Sequence, residues 1–178
     1  VFLTPLQGPA PPLAVAFEFN AWGGKYPPWD ADAAVAAGLA ARLGLDVLRP
    51  GIVLFWGGLE TDGAGTLLVN HRCIEDPRRN PGRSRADLTA VLQRSLAVDK
   101  VLWVGGELAG DDTDGHIDQL ARFVAPGRVV AARQPDRADP NHEPLEANLQ
   151  RLRTLVDARG CPLEVIPLDL PSRLGYDG

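Results

Sequence analysis

An order of elements that restarts twice constrains this chain more than any single motif. "VFLTP" and "LAVAFEF" (Leu13 to Phe19) read as strands, Ala31 to Leu43 as a helix, and "LDVLR" from Leu45 as a third strand. The order then begins again. "GIVLF" (Gly51 to Phe55) and "TLLVN" (Thr66 to Asn70) are strands joined through a Gly-rich turn. A helix follows from about Arg85 to Leu96, and "KVLWV" closes the unit. The third round has "HIDQLARFV" and "RVVAA" as strands, a helix from Pro144 to about Ala158, and "LEVIPL" as its last strand. A ββαβ order recurring at roughly 50 to 65 residues describes units stacked or arrayed about an axis. The units run over about 1–50, 51–105 and 116–170, within one incomplete domain over 1–178. The chain contains no Met, even at position 1, and reads as a piece of a longer frame.

Local chemistry supports the helices. Asp30 or Asp32 serves as a cap for the first, with Val35, Ala36, Leu39 and Leu43 on one face. Ser84 caps the second, Asp87 supports its first turn, and Leu88, Val91, Leu92 and Leu96 form its buried stripe. In the third, Pro144 takes the favoured first helical position and Leu145, Leu149, Leu152, Leu155 and Val156 face inward.

Charge and composition narrow the function. A net charge of −5 lacks the electrostatic footprint of a nucleic-acid binder and leaves room for a cationic small substrate. No apolar run reaches the roughly 18 residues of a membrane helix, and the first residues do not read as a signal peptide. The two cysteines, Cys73 and Cys161, read as reduced thiols of a cytoplasmic protein, too few for a disulfide framework.

Three stretches could carry chemistry. "GDDTDGHID" (Gly110 to Asp118) holds four carboxylates and a histidine. On a strand, His116 and Asp118 would share a face, an arrangement suited to acid/base work with a carboxylate free for a cation. The same stretch also fits a solvated acidic turn or a metal loop, although a distal Glu for calcium and further His or Cys for zinc are missing. "FNAWGGKYPPWD" (Phe19 to Asp30) is a rigid aromatic loop that either lines a pocket or packs its own rings. "LFWGGLETDGAGT" carries turn chemistry at Asp62–Gly63 and Gly65, and no P-loop lysine follows. His71 and His142 read as surface residues, and Arg78, Arg79, Arg83 and Arg85 as a solvated basic run.

Taken together, "FNAWGGKYPPWDAD", "DPRRNPGRSRADL" and "GDDTDGHIDQLARFV" resemble the agmatine deiminase family, close to bacterial-type peptidylarginine deiminases among the guanidino-group-modifying enzymes. The similarity runs over nearly the whole chain in the same order and spacing. It implies a pentein-type α/β propeller of five ββαβ blades, three of them present in this chain. The implied chemistry converts the guanidinium of agmatine to a ureido group with loss of ammonia, through a cysteine amidino intermediate. His116 resembles the acid/base residue and Asp118 a guanidinium clamp. Asp112 and Asp114 are candidates for the distal amine, and Trp22 for the pocket wall. The resemblance implies no metal and no cofactor, and self-association is common in such enzymes.

Two departures accompany the resemblance. The family's nucleophilic cysteine lies in a Gly-rich turn matched by neither Cys73 nor Cys161. The family's Glu-Gly-Gly run has Phe55 where the Glu should stand. Glu60 is not expected to substitute for it. Two alternatives stand beside agmatine turnover: peptidylarginine as substrate, or, favoured by Phe55, a catalytically dead homologue that binds a cationic ligand or a partner.

Overall fold

The computed structural model describes residues 1–5 and 8–171. The first unit comprises β1 (Phe2–Leu3), β2 (Leu13–Val15), α1 (Ala21–Gly24), α2 (Asp30–Arg42) and β3 (Val47–Leu48). The second comprises β4 (Leu59–Thr61), β5 (Thr66–Asn70), α3 (His71–Ile74), α4 (Arg85–Leu96) and β6 (Lys100–Val104). The third comprises β7 (Ala121–Ala125), β8 (Arg128–Arg133), α5 (His142–Arg153) and β9 (Glu164–Asp169). Each unit is its own three-stranded sheet. The first strand runs antiparallel to the second, and the third returns parallel to the second after the helical crossover that a parallel pair requires.

Two strands start later than the sequence pattern suggests. "GIVLF" is buried from Ile52 to Phe55, yet only Val53 makes a bridge, to Glu18. The hairpin partner of β5 is β4, in the register Leu59↔Val69 and Thr61↔Leu67. Between them lies a 3₁₀ turn over Trp56–Gly58, where the glycine pair weakens any continuous strand. His116 to Gln119 likewise do not extend β7. His116 stands in front of a 3₁₀ turn over Ile117–Gln119. "LAVAFEF" is a strand only over its first three residues.

The helices divide by how well their own caps specify them. α4 matches its expected bounds, and Ser84 and Asp87 form a reciprocal capping box. α5 starts two residues before Pro144 and stops at Arg153, so Leu155 and Val156 lie beyond it. Leu145, Leu149 and Leu152 are nonetheless fully buried, packed on β8 and on Leu102 and Val104 of the preceding unit. α2 departs most: Val35, Leu39 and Leu43 are 60%, 45% and 56% exposed, and only Ala40 is buried. The later helices owe their cover partly to the unit before them. Among the described residues no unit precedes the first.

Asn80 pins the second unit together. Its buried side chain accepts from the Val53 backbone N–H at 2.9 Å and donates to the carbonyls of Val53 and Ile74 at 3.0 and 2.9 Å. Asn80→Ala is expected to lower stability by about 2–4 kcal/mol, since three backbone groups lose partners in a dry interior. A shift of the urea midpoint with unchanged slope checks this; an unchanged midpoint would show that water replaces the amide.

Candidate functional site

The aromatic loop packs its rings and also reaches the acidic one. Asn20 begins it: its side-chain oxygen accepts from Gly23 N–H at 2.9 Å while its amide donates to the Arg78 carbonyl at 2.9 Å. Trp22 follows in the left-handed region, φ 56°, a conformation a bulky residue adopts only when its surroundings impose it. Those surroundings are rings. Trp22 lies 5.6 Å from Phe19, 5.9 Å from Tyr26 and 5.7 Å from Phe55, centroid to centroid. Its indole N–H is buried without a partner among the described residues.

The acidic stretch is neither a free solvated turn nor a cage. Asp111 is its internal scaffold, accepting from the Thr113 backbone and hydroxyl, from Gly115 N–H at 2.7 Å and from the Gln119 amide. Burial works against its charge, but those hydrogen bonds outweigh burial and hold its carboxyl below the usual range. Asp112 accepts from the Tyr26 hydroxyl, and its carbonyl accepts from Lys25 Nζ at 2.6 Å. Asp114 takes Lys25 Nζ at 2.9 Å on one oxygen and Arg78 Nη2 at 2.9 Å on the other, with Arg79 at 3.5 Å. Cations of the chain's own thus engage both carboxylates offered for the distal amine, and these bonds tie the 110–115 loop to the first and second units. No group of three or more His, Cys, Asp or Glu side chains among the described residues is placed to hold a metal ion.

His116 and Asp118 come together by a route that strand geometry does not provide. Both side chains converge on Gly57: a Cβ there would fall on His116 Nδ1 and within 2.8 Å of Asp118 Oδ2. Only a glycine at position 57 lets the backbone pass this close. His116 is 8% exposed, and its Nε2 is buried with no partner among the described residues. Burial lowers its pKa, with the Arg79 charge acting the same way against the pull of Asp118, Asp111 and Asp114. The ring of Phe55 lies 5.9 Å from the imidazole, so an apolar surface covers that side of it.

Two residues that the sequence did not single out shape this site. Arg79, expected on a solvated face, is 3% exposed. Its guanidinium sits 5.0 Å over the Phe55 ring and donates to the Thr113 carbonyl at 2.6 Å and the Cys73 carbonyl at 3.3 Å. Nothing in the spacing of four neighbouring arginines distinguishes the buried one. Gly57 is the other, and its signal is the Gly pair itself. Glu60 is committed elsewhere: it accepts from Arg122 Nε at 2.6 Å and from Phe123 N–H at 2.9 Å. The Cys73 thiol is buried against Arg79, and burial pushes its pKa up to about 11, so it stays protonated at neutral pH. Cys161 is exposed at the far end of the third unit.

Asp118 opens on a cavity of about 320 Å³ lined by the first strand of every unit: Phe2 of β1, Leu59 and Glu60 of β4, and Arg122 of β7, with Trp56 beside them. No helix of the described residues is long and apolar enough to cross a membrane.

Comparison with known proteins gives one family. The model of the Porphyromonas-type peptidyl-arginine deiminase matches residues 2–178. The agmatine deiminase of Pseudomonas fluorescens strain SBW25 is 36% identical over 90% of this chain and 45% of its own length. That of Ectopseudomonas mendocina is 38% identical over 89% and 44%. The chain therefore spans about half the length of the curated relatives it matches. The solved agmatine deiminase of Enterococcus faecalis superposes with a TM-score of 0.85 at 36% identity, covering 91% of this chain and 46% of that one. The C. jejuni agmatine deiminase with substrate bound gives 0.82 at 27% identity, covering 93% and 48%. These neighbours and the three like sheets make the fold a partial pentein-type propeller.

Proposed function

The chain belongs to the Porphyromonas-type peptidyl-arginine deiminase family, and from that premise we propose that this protein is an agmatine deiminase-like hydrolase. It takes the guanidinium of agmatine to N-carbamoylputrescine and releases ammonia. The observation that carries the proposal is the convergence of His116 and Asp118 on Gly57, in a chain whose relatives bear the name agmatine deiminase. Asp118 would hold the planar cation by charge-assisted hydrogen bonds. A cysteine thiolate would attack the guanidinium carbon, and His116 would protonate the departing ammonia. The imidazole, then neutral, would take a proton from the water that releases the ureido product and regenerates the thiol. Burial favours that neutral imidazole.

The nucleophile in this reading comes from outside these 178 residues, because Cys73 is a buried, protonated thiol. The purified chain with agmatine is expected to give no ureido product, while the full-length protein gives it. Colorimetric assay of the citrulline-like ureido group checks both. Product from the purified chain alone would show that one of its own cysteines acts.

One observation favours a second reading. Phe55 covers the imidazole where a carboxylate would share the guanidinium, which is what a homologue retaining only ligand binding would show. Tight agmatine binding by the full-length protein without ammonia would establish that reading. Faster turnover of an arginyl peptide than of agmatine would instead assign peptidylarginine as the substrate.

A further inference from the structure

The glycine turn sends two neighbouring aromatic rings in opposite directions. Phe55 is buried against His116, whereas Trp56 is 73% exposed and lines the cavity onto which Asp118 opens. A single exposed apolar side chain is ordinary, but this one borders a cavity rather than open surface. The cavity wall shows what would cover it. Glu60 and Arg122 neutralise each other at 2.6 Å, while Asp118 has no cation paired with it among the described residues. One unpaired carboxylate and one open indole face, in a space of about 320 Å³, suit a ligand with a positive head and an apolar stem.

We infer that Trp56 is a specificity-determining residue of this site: its indole face is the platform for the methylene stem of an alkyl cation whose charge is taken by Asp118. Agmatine, with four methylenes beside its guanidinium, has that shape. The inference rests on the deiminase reading only for the choice of this ligand. Neither partner alone is selective. Asp118 accepts any cation, and Trp56 any apolar stem; together they favour an alkylguanidinium over the bare guanidinium ion.

Calorimetric binding to the full-length protein in a His116→Ala background tests this, because the ligands are then bound without being consumed. Agmatine and butylguanidinium are compared with methylguanidinium, which has the same head and almost no stem. In Trp56→Ala, agmatine and butylguanidinium are expected to bind about tenfold more weakly, the loss of some 50–60 Å² of apolar contact. Methylguanidinium should stay within about twofold. Trp56→Phe should recover most of the affinity, since a ring remains. Asp118→Asn should weaken all three. Unchanged agmatine affinity in Trp56→Ala, or an equal loss for methylguanidinium, would overturn the assignment. Stem-dependent loss together with no ammonia from the wild type would leave the inference standing and reject the deiminase reading.

Discussion

His116→Ala is expected to lower agmatine turnover by the full-length protein about 100- to 10,000-fold, with little change in substrate affinity. The range is that of a positioned proton-transfer group, and the affinity should be spared because the proposal gives the cation to Asp118. The loss appears in kcat and in kcat/KM together, as for an interaction made only in the transition state. Normal turnover would remove His116 from the mechanism and leave the convergence on Gly57 as packing.

The same residue carries a pH signature that needs no activity. Its pKa in the fold lies below the ordinary 6.5, so the unfolded chain takes up the proton first as pH falls. Stability from the buried neutral imidazole is therefore complete above about 6.5 and declines as pH drops below it, until the folded pKa is passed. Asp111 acts in the same sense over a lower range: its lowered pKa contributes stability above the usual carboxylate range that is lost only in stronger acid. Comparing wild type with His116→Ala by chemical denaturation from pH 8 to 5 isolates the histidine. A difference between the two that does not vary with pH would mean that water reaches the ring.

How far the sequence discloses these features depends on the range of the interaction that makes them. α4 is legible because its signals are local: Ser84 and Asp87 cap it, and Leu88 and Leu92 fall on one face within it. The ββαβ recurrence is legible because each unit repeats the same local order. β4 is not, because the apolar run before it is buried against β5, α3, α4 and β6 of its own unit rather than by pairing in a ladder, and burial alone does not distinguish the two. The exposed face of α2 has the same origin, as its periodicity names a face without saying what meets it. His116 and Asp118 could be chosen as a pair, but not for the reason that unites them. Their meeting point is Gly57, 59 and 61 positions away, on the turn before a different strand. Arg79 shows the limit most clearly: four arginines in one short stretch look alike until Phe55, Cys73 and Thr113 close around one of them.

Phe55→Glu is expected to raise agmatine turnover by the full-length protein at least tenfold while making the fold less stable. Loss of the ring removes its contacts with Phe19 and Trp22, at centroid distances of 5.4 and 5.7 Å, and leaves a partly filled space, together costing about 2–4 kcal/mol. Two features already in place soften the entry of a carboxylate. The Arg79 guanidinium lies over the position, and its Nε is buried without a partner among the described residues. An ion pair there satisfies both groups, where an unpaired buried charge would not be tolerated. The new negative charge also favours the protonated imidazole, raising the His116 pKa toward the pH at which it can donate to departing ammonia as well as accept from water. Phe55→Gln separates charge from shape: it removes the same ring and can accept from Arg79, yet adds no charge, and should show no gain. Ammonia release and calorimetric melting, measured on both variants, decide the matter. A folded Phe55→Glu variant that gains nothing over Phe55→Gln would mean that the aromatic ring is itself the working surface at this position. The site would then be built to hold a flat cation against rings rather than to clamp it between carboxylates.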